Sequence, residues 1–394
     1  MQSDSSGFSD FAHPPQASHM QPVHSPRLPV SYAESRASFL AMATKLGASV
    51  TSYPHRPVSG GYRDPALSTD CALFGTANAS SLFIIASGTH GIEAYAGAAC
   101  QLHWMEGFQT SPRDSDLAWL LVHAVNPWGY LHDRRVTQEG VDLNRNFVDF
   151  PIAPAPGASP YARYHDLLVS DFQPLPKGSL NEARLLAHGL TAERRRALQA
   201  AITAGQYERE DGLFFGGFAP TSSRRVWEEI VRDNAMHRRC AFLLDLHTGL
   251  GGYGEGELIS YLPPDVPDFK RMSAWFNGDL RSMAGGESVS AAVNGTLTAA
   301  FDRMIPAQSY AVGLEFGTVP ALKALYALRF DQWCHNNAAT LPAALRDAAK
   351  RKMRAAFAPA DRQWLEHVLA RFDEVTARIE GGLRSELRGG AMQR

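Results

Sequence analysis

Four separated apolar runs constrain this chain more than any other feature: LFIIA at 82–86, LAWLLVHAV at 117–125, AFLLDL at 241–246 and YAVGLEF at 310–316. A run that is apolar throughout, rather than alternating, reads as a strand buried on both faces, the habit of parallel sheets covered by helices. Helical patterns alternate with these runs, at 91–108 after the first and at 321–336 after the last. The expectation is therefore an α/β fold: a single domain with a mixed, mostly parallel twisted sheet flanked by helices. Upstream, Ser31, Glu34 and a terminal Gly47 bracket an apolar stripe and predict a capped helix over 31–47.

The 394 residues could hold two average domains, but the alternation runs unbroken enough to read 31–394 as one unit. Residues 1–30, rich in Ser and Pro and carrying His13, His19 and His24, read as a disordered leader. Between the second and third runs lies a long insertion, 151–239, of the kind that either walls a ligand site or simply packs onto the domain. The segment 331–394 is patterned as C-terminal helices.

A net charge of −2 leaves no electrostatic footprint for nucleic acid or an anionic membrane surface, so neither is expected as a partner. Four scattered cysteines, Cys71, Cys100, Cys240 and Cys334, form no metal or disulfide pattern and suit a reducing, cytoplasmic setting. No stretch reaches the length and apolarity of a membrane span.

Chemistry concentrates at the strand ends. His90 and Glu93 occupy the turn after 82–86, GVDLNRNF (140–147) follows the turn that ends the second run, His247 follows the third, and Glu315 closes the fourth. In open α/β sheets, ligands bind in the crevice beyond the carboxyl ends of the strands. A second His-x-x-Glu, His103 to Glu106, lies inside a predicted helix and reads as packing. His90, Glu93 and His247 supply the two histidines and one carboxylate of a catalytic zinc with an open fourth position. Gly88 and Gly91 read as backbone freedom that lets His90 and Glu93 aim at one point. Glu315 is then the carboxylate available to take a proton as water attacks a carbonyl.

In that order, SGTHGIEAYAG, VNPWGY, GVDLNRNF, LDLHTG and LEFGT make the chain resemble the zinc carboxypeptidase superfamily, which includes the desuccinylase and aspartoacylase deacylases, and a bacterial branch of it in particular. The resemblance spans roughly 31–385. It implies one zinc ion on His90, Glu93 and His247, with Glu315 as general base and then proton donor to the leaving amine. It implies Arg135 as the group that polarises the scissile carbonyl, with Arg134 as the fallback, and Asn144 and Arg145 as the grip on a substrate carboxylate, since a guanidinium fork matches a carboxylate. The family's mobile tyrosine has three candidates here, Tyr253, Tyr261 and Tyr310, with no spacing to choose among them.

The implied activity is a carboxypeptidase-type metallopeptidase acting on a small peptide with a free carboxylate. Its alternative is a deacylase of N-acyl amino acids, and a third reading is a metal-binding protein without catalysis. The glycines of GLGGYG (249–254) match a dinucleotide fingerprint, but EGELISYL after them alternates as a strand where that motif needs a helix.

Overall fold

The apolar runs form the parallel heart of a sheet whose strands are β1 (Ser49–Pro54), β2 (Ser68–Phe74), β3 (Ser81–Ser87), β4 (Leu117–His123), β5 (Cys240–Gly249), β6 (Gly256–Ser260), β7 (Leu280–Ser282) and β8 (Gln308–Gly317). The computed structural model describes residues 26–56, 67–108, 116–151 and 159–391, so most of the expected leader, with its three histidines, lies outside the described residues. Among the described residues the sheet has eight strands in the order β1-β2-β4-β3-β5-β8-β6-β7. The four central strands, β4, β3, β5 and β8, run parallel, and antiparallel pairings join β2 to β4 and β6 to β8.

Every residue of β3, β4 and β5 is buried. Alternate side chains divide between two layers, as a period of two requires. Phe83, Ile85 and Leu244 pack with Met105, Trp364 and Phe372 from helices Ala94–Phe108 and Arg362–Ala391. Leu82, Ile84 and Leu243 pack on the other face with Trp227 and Phe301 from helices Ser222–Asn234 and Leu297–Met304. The result is a single α/β domain with a mixed sheet covered on both sides.

The predicted first helix runs Tyr32–Lys45, with the Ser31 hydroxyl accepting from the Glu34 amide. The edge strands escaped the sequence reading because their burial is partial or their residues polar. β1 is largely exposed, and β2 buries Asp70 against Arg36 at 2.6 Å. All four cysteines are free and buried. Among the described residues no helix is long and apolar enough to cross a membrane.

Between β4 and β5 the described part of the insertion includes the helices Ser179–His188 and Ala192–Thr203, ahead of Ser222–Asn234. Their Leu185, Leu198 and Ile202 gather with Tyr161, Leu168 and Phe214 into an apolar cluster that leans on Leu325 and Leu328 of helix Ala321–Asn336. That cluster stands beside the carboxyl edge of the central strands and walls what lies there.

Candidate metal and catalytic site

The turn after β3 depends on two glycines for different reasons. Gly88 has φ +72°, a left-handed conformation that costs a side-chain-bearing residue energy. Gly91 has no such angle. A Cβ there would sit 2.1 Å from the carbonyl carbon of Gly129, so what Gly91 supplies is close approach of two backbones, not freedom. The turn then forms a short 3₁₀ segment, Gly91–Glu93, ahead of the long helix. Its amides are held from outside: Gly91 donates to the Arg135 carbonyl at 3.2 Å and Ile92 to that of Arg134 at 2.8 Å.

This geometry brings His90, Glu93 and His247 together, all buried, with one ligand atom from each lying within 4.8 Å of the others. His247 Nδ1 is 2.9 Å from Glu93 Oε2, and His90 Nδ1 is 3.0 Å from Glu93 Oε1. His90 Nδ1 is buried and faces the Glu93 carboxylate without a well-formed hydrogen bond to it. Two buried imidazole nitrogens turned onto one carboxylate make a donor set that suits a metal ion.

Two aspartates that the sequence reading passed over complete the arrangement. Asp142 Oδ1 lies 3.0 Å from His90 Nε2, and Asp245 Oδ2 lies 2.7 Å from His247 Nε2. Each histidine thus has one nitrogen on a carboxylate and the other turned inward, the outer support that metal-binding histidines use. Thr89 holds Asp245 in turn, its hydroxyl donating at 2.7 Å. A signal for Asp245 was available: a charged residue inside an apolar strand, two positions before His247 and so on the same face.

Arg135 donates to Glu93 at 2.7 Å and to Asp142 at 3.1 Å. Four carboxylates, those of Glu93, Asp142, Asp245 and Glu315, therefore meet two guanidinium groups, Arg135 and Arg145. Burial opposes a proton on His247, but Asp245 and Glu93 overcome it and hold that imidazole well above its ordinary pKa, and in this pocket of carboxylates a divalent cation would take that proton's place. The donor set and the surrounding carboxylates together fit a metal such as zinc.

Glu315 sits directly opposite His247 in the parallel register of β5 and β8. It accepts a hydrogen bond from the Leu250 amide at 2.8 Å. Burial, reinforced by the neighbouring Glu93 charge, pushes its carboxyl up to about 7. Burial also opposes the charge on Glu93, but His90, Arg135 and the hydrogen bond from His247 overcome it and hold that carboxyl below the ordinary range. The two carboxylates in one pocket are driven apart, one ionised and one poised near neutrality.

The remaining candidates separate. Asn144 Nδ2 lies 3.4 Å from His247 Nε2, and its side-chain oxygen accepts from the Leu297 amide at 2.9 Å. Arg145 spends two nitrogens on the Thr203 carbonyl, at 2.6 and 2.9 Å, and a third on the Asn144 carbonyl at 3.1 Å. Arg134 turns away from the site to Asp331 at 2.8 Å and Gln332 at 3.0 Å, which leaves Arg135 as the arginine beside the cluster. The tyrosine hydroxyls are committed elsewhere: Tyr253 to Asp361, Tyr261 to Asp302, and Tyr310 to Arg271. After the glycines at 249–254 the chain enters strand β6, so the helix a dinucleotide site requires does not follow.

A cavity of about 320 Å³ opens on His90, His247 and Glu315, with Arg135, Asn144 and Arg145 also at its surface. Over residues 29–371 the sequence matches the family described as "Protein of unknown function (DUF2817)". The chain belongs to that family. Comparison with curated protein sequences finds no match. Among solved structures, this DUF2817 member is similar to carboxypeptidase A from Helicoverpa armigera, with 16% identity over 84% of this chain and 74% of that one and a TM-score of 0.44. It is similar to a metallo-carboxypeptidase from Burkholderia cenocepacia, at 14% identity, 86% and 69% coverage and a TM-score of 0.40. It is also similar to bovine thrombin-activatable fibrinolysis inhibitor, solved in complex with tick carboxypeptidase inhibitor, at 13% identity, 86% and 97% coverage and a TM-score of 0.42.

Proposed function

We propose that this protein is a zinc-dependent hydrolase of an amide bond, of the carboxypeptidase type, acting on a small peptide with a free carboxylate. The observation that carries the reading is Glu315: a carboxylate beside the His90, Glu93 and His247 cluster, with its proton affinity raised to about 7 and the nearby Arg135 already committed to Glu93 and Asp142. A site built only to bind metal has no use for such a group. A zinc ion held by the three residues would supply Lewis-acid polarisation of a carbonyl and acidification of water.

The chain's own residues supply the rest. Asp142 and Asp245 hold the outer imidazole nitrogens and so present both Nδ1 atoms inward. Glu315 accepts the proton of the attacking water and returns it to the leaving amine, a role suited to a group that titrates near working pH. Arg135 stabilises negative charge developing on the carbonyl oxygen from a fixed position on Glu93 and Asp142. Asn144 and Arg145 receive the substrate carboxylate. Arg145 reaches this role with three of its nitrogens already bonded to backbone carbonyls, so it acts as a fixed charge and not as a swinging arm.

A second reading, removal of an acyl group from an amino acid, uses the same chemistry and is favoured by one feature, the apolar wall that the insertion adds to the cavity. The test is metal analysis joined to hydrolysis of three substrate sets: peptides with free C-termini, the same peptides amidated, and N-acyl amino acids. Activity lost on amidation supports the peptidase, and activity confined to acyl amino acids replaces it with the deacylase. Turnover retained by Glu315→Gln would sink the mechanism.

A further inference from the structure

Beyond the polar groups around His90, His247 and Glu315, with Arg195 and Gln199 of the insertion also at its surface, the cavity is lined by Leu185, Leu198 and Ile202 from the insertion helices, Leu325 and Leu328 from helix Ala321–Asn336, and Phe214. The same side chains make up a cluster of their own, separate from the two layers that cover the sheet. Leu185, Leu198, Ile202 and Phe214 are already buried by their own cluster, whereas Leu186 and Leu322, which also line the cavity, are 52% and 51% exposed, with Leu325 and Leu328 part-exposed beside them. Hydrolysis of a small polar amide needs none of this. It is these exposed leucines that a ligand would remove from water, over a buried apolar backing, and ligand sites combine such surfaces with a few convergent polar groups.

We infer that the substrate carries an extended apolar group beside the scissile amide, and that this group lies between the insertion helices and helix Ala321–Asn336. The inference rests on the amide-hydrolase reading above and names its substrate class. An acyl chain and a large apolar amino-acid side chain present the same surface to these residues. The insertion is what makes the wall, since Leu185, Leu198, Ile202 and Phe214 all belong to it.

The experiment uses the zinc-loaded full chain and has two arms. In one, hydrolysis of N-acylglycines is followed from acetyl through butanoyl and hexanoyl to octanoyl. In the other, glycylglycine is compared with glycylphenylalanine and phenylalanylglycine. Alongside, calorimetry measures binding of N-acetylglycine and N-octanoylglycine to Glu315→Gln, a readout that does not need turnover. The expected result is a kcat/KM that climbs about three- to fourfold per methylene until the cavity is full, or by a comparable total for one phenylalanine position, as burial of each CH₂ implies. The arm that climbs identifies the source of the apolar group.

Leu198→Asp should flatten that dependence. Leu325→Trp, on a partly exposed helix face, fills the same space and serves should the aspartate variant fail to fold. Equal binding of acetyl and octanoyl compounds with no climb in either arm overturns the inference and leaves the hydrolase reading standing. A steep chain-length dependence that survives both variants also overturns it. Octanoylglycine binding far tighter than acetylglycine, with no turnover in any arm, supports the ligand class of the cavity and overturns the hydrolase reading instead.

Discussion

Two His-x-x-Glu sequences occur within one short stretch of this chain, and they meet opposite fates. His90 and Glu93 sit on a 3₁₀ turn at the carboxyl end of β3, buried, against His247 from the neighbouring strand. His103 and Glu106 sit within helix Ala94–Phe108, and His103 turns to Asp373 of the C-terminal helix at 2.9 Å with its side chain 29% exposed. The residue types and spacing are the same. What differs is that a strand end in a parallel sheet faces other strand ends, so its side chains can converge with theirs, whereas a mid-helix pair meets only what packs on one helix face.

The sharpest way to break this comparison is to remove each histidine in turn. His90→Ala and His247→Ala should each abolish stoichiometric zinc in the purified protein by metal analysis, and His103→Ala should leave it intact. Zinc lost from the His103 variant, or kept by the other two, would dissolve the distinction. Next in size is Glu315→Gln, expected to lower kcat by roughly 10³-fold, within the range for loss of a general base, with zinc content unchanged.

The titration of Glu315 sharpens the same contrast. In the metal-free protein its pKa is raised from 4.5 to about 7, so the folded state holds this proton more tightly than the unfolded chain does. The stabilising contribution is complete below about pH 4.5 and is lost as pH rises through about 7. Denaturant unfolding of metal-free wild type and Glu315→Gln should therefore diverge by about 3 kcal/mol between pH 4.5 and pH 8, with wild type the loser at the higher pH. A pH-independent difference would remove Glu315 from its assigned environment.

Asp245→Asn should weaken zinc by about 10- to 100-fold, since the aspartate orients a ligand without touching metal. Competition with a chelator of known affinity measures this, and an unchanged affinity would demote Asp245 to a structural neighbour. Smallest is the effect of His103→Ala on stability, within about 0.5 kcal/mol for a half-exposed pair at the surface.

Periodicity in the chain was enough to read the central strands, because burial on both faces demands unbroken apolar runs. It did not reveal β1, β2 or β7. β1 is short and mostly exposed, β2 carries buried polar residues whose partners lie in another element, and β7 has only three residues. Order along the chain also suggested that His90, Glu93, His247 and Glu315 belong to one crevice, since each ends or follows a strand of the same sheet.

Other decisions needed three dimensions. Adjacent arginines at 134 and 135 are equivalent in sequence, and only the packing of helix Ala321–Asn336 assigns Arg134 to Asp331 and Arg135 to Glu93. Gly91 looks like a flexible residue until Gly129 is seen pressed against it. Asp142 and the apolar wall above Phe214 likewise join residues far apart in the chain. Local spacing determines which elements form and where chemistry could stand. Which side chain faces which partner is set by contacts between distant segments, whose distances no local pattern encodes.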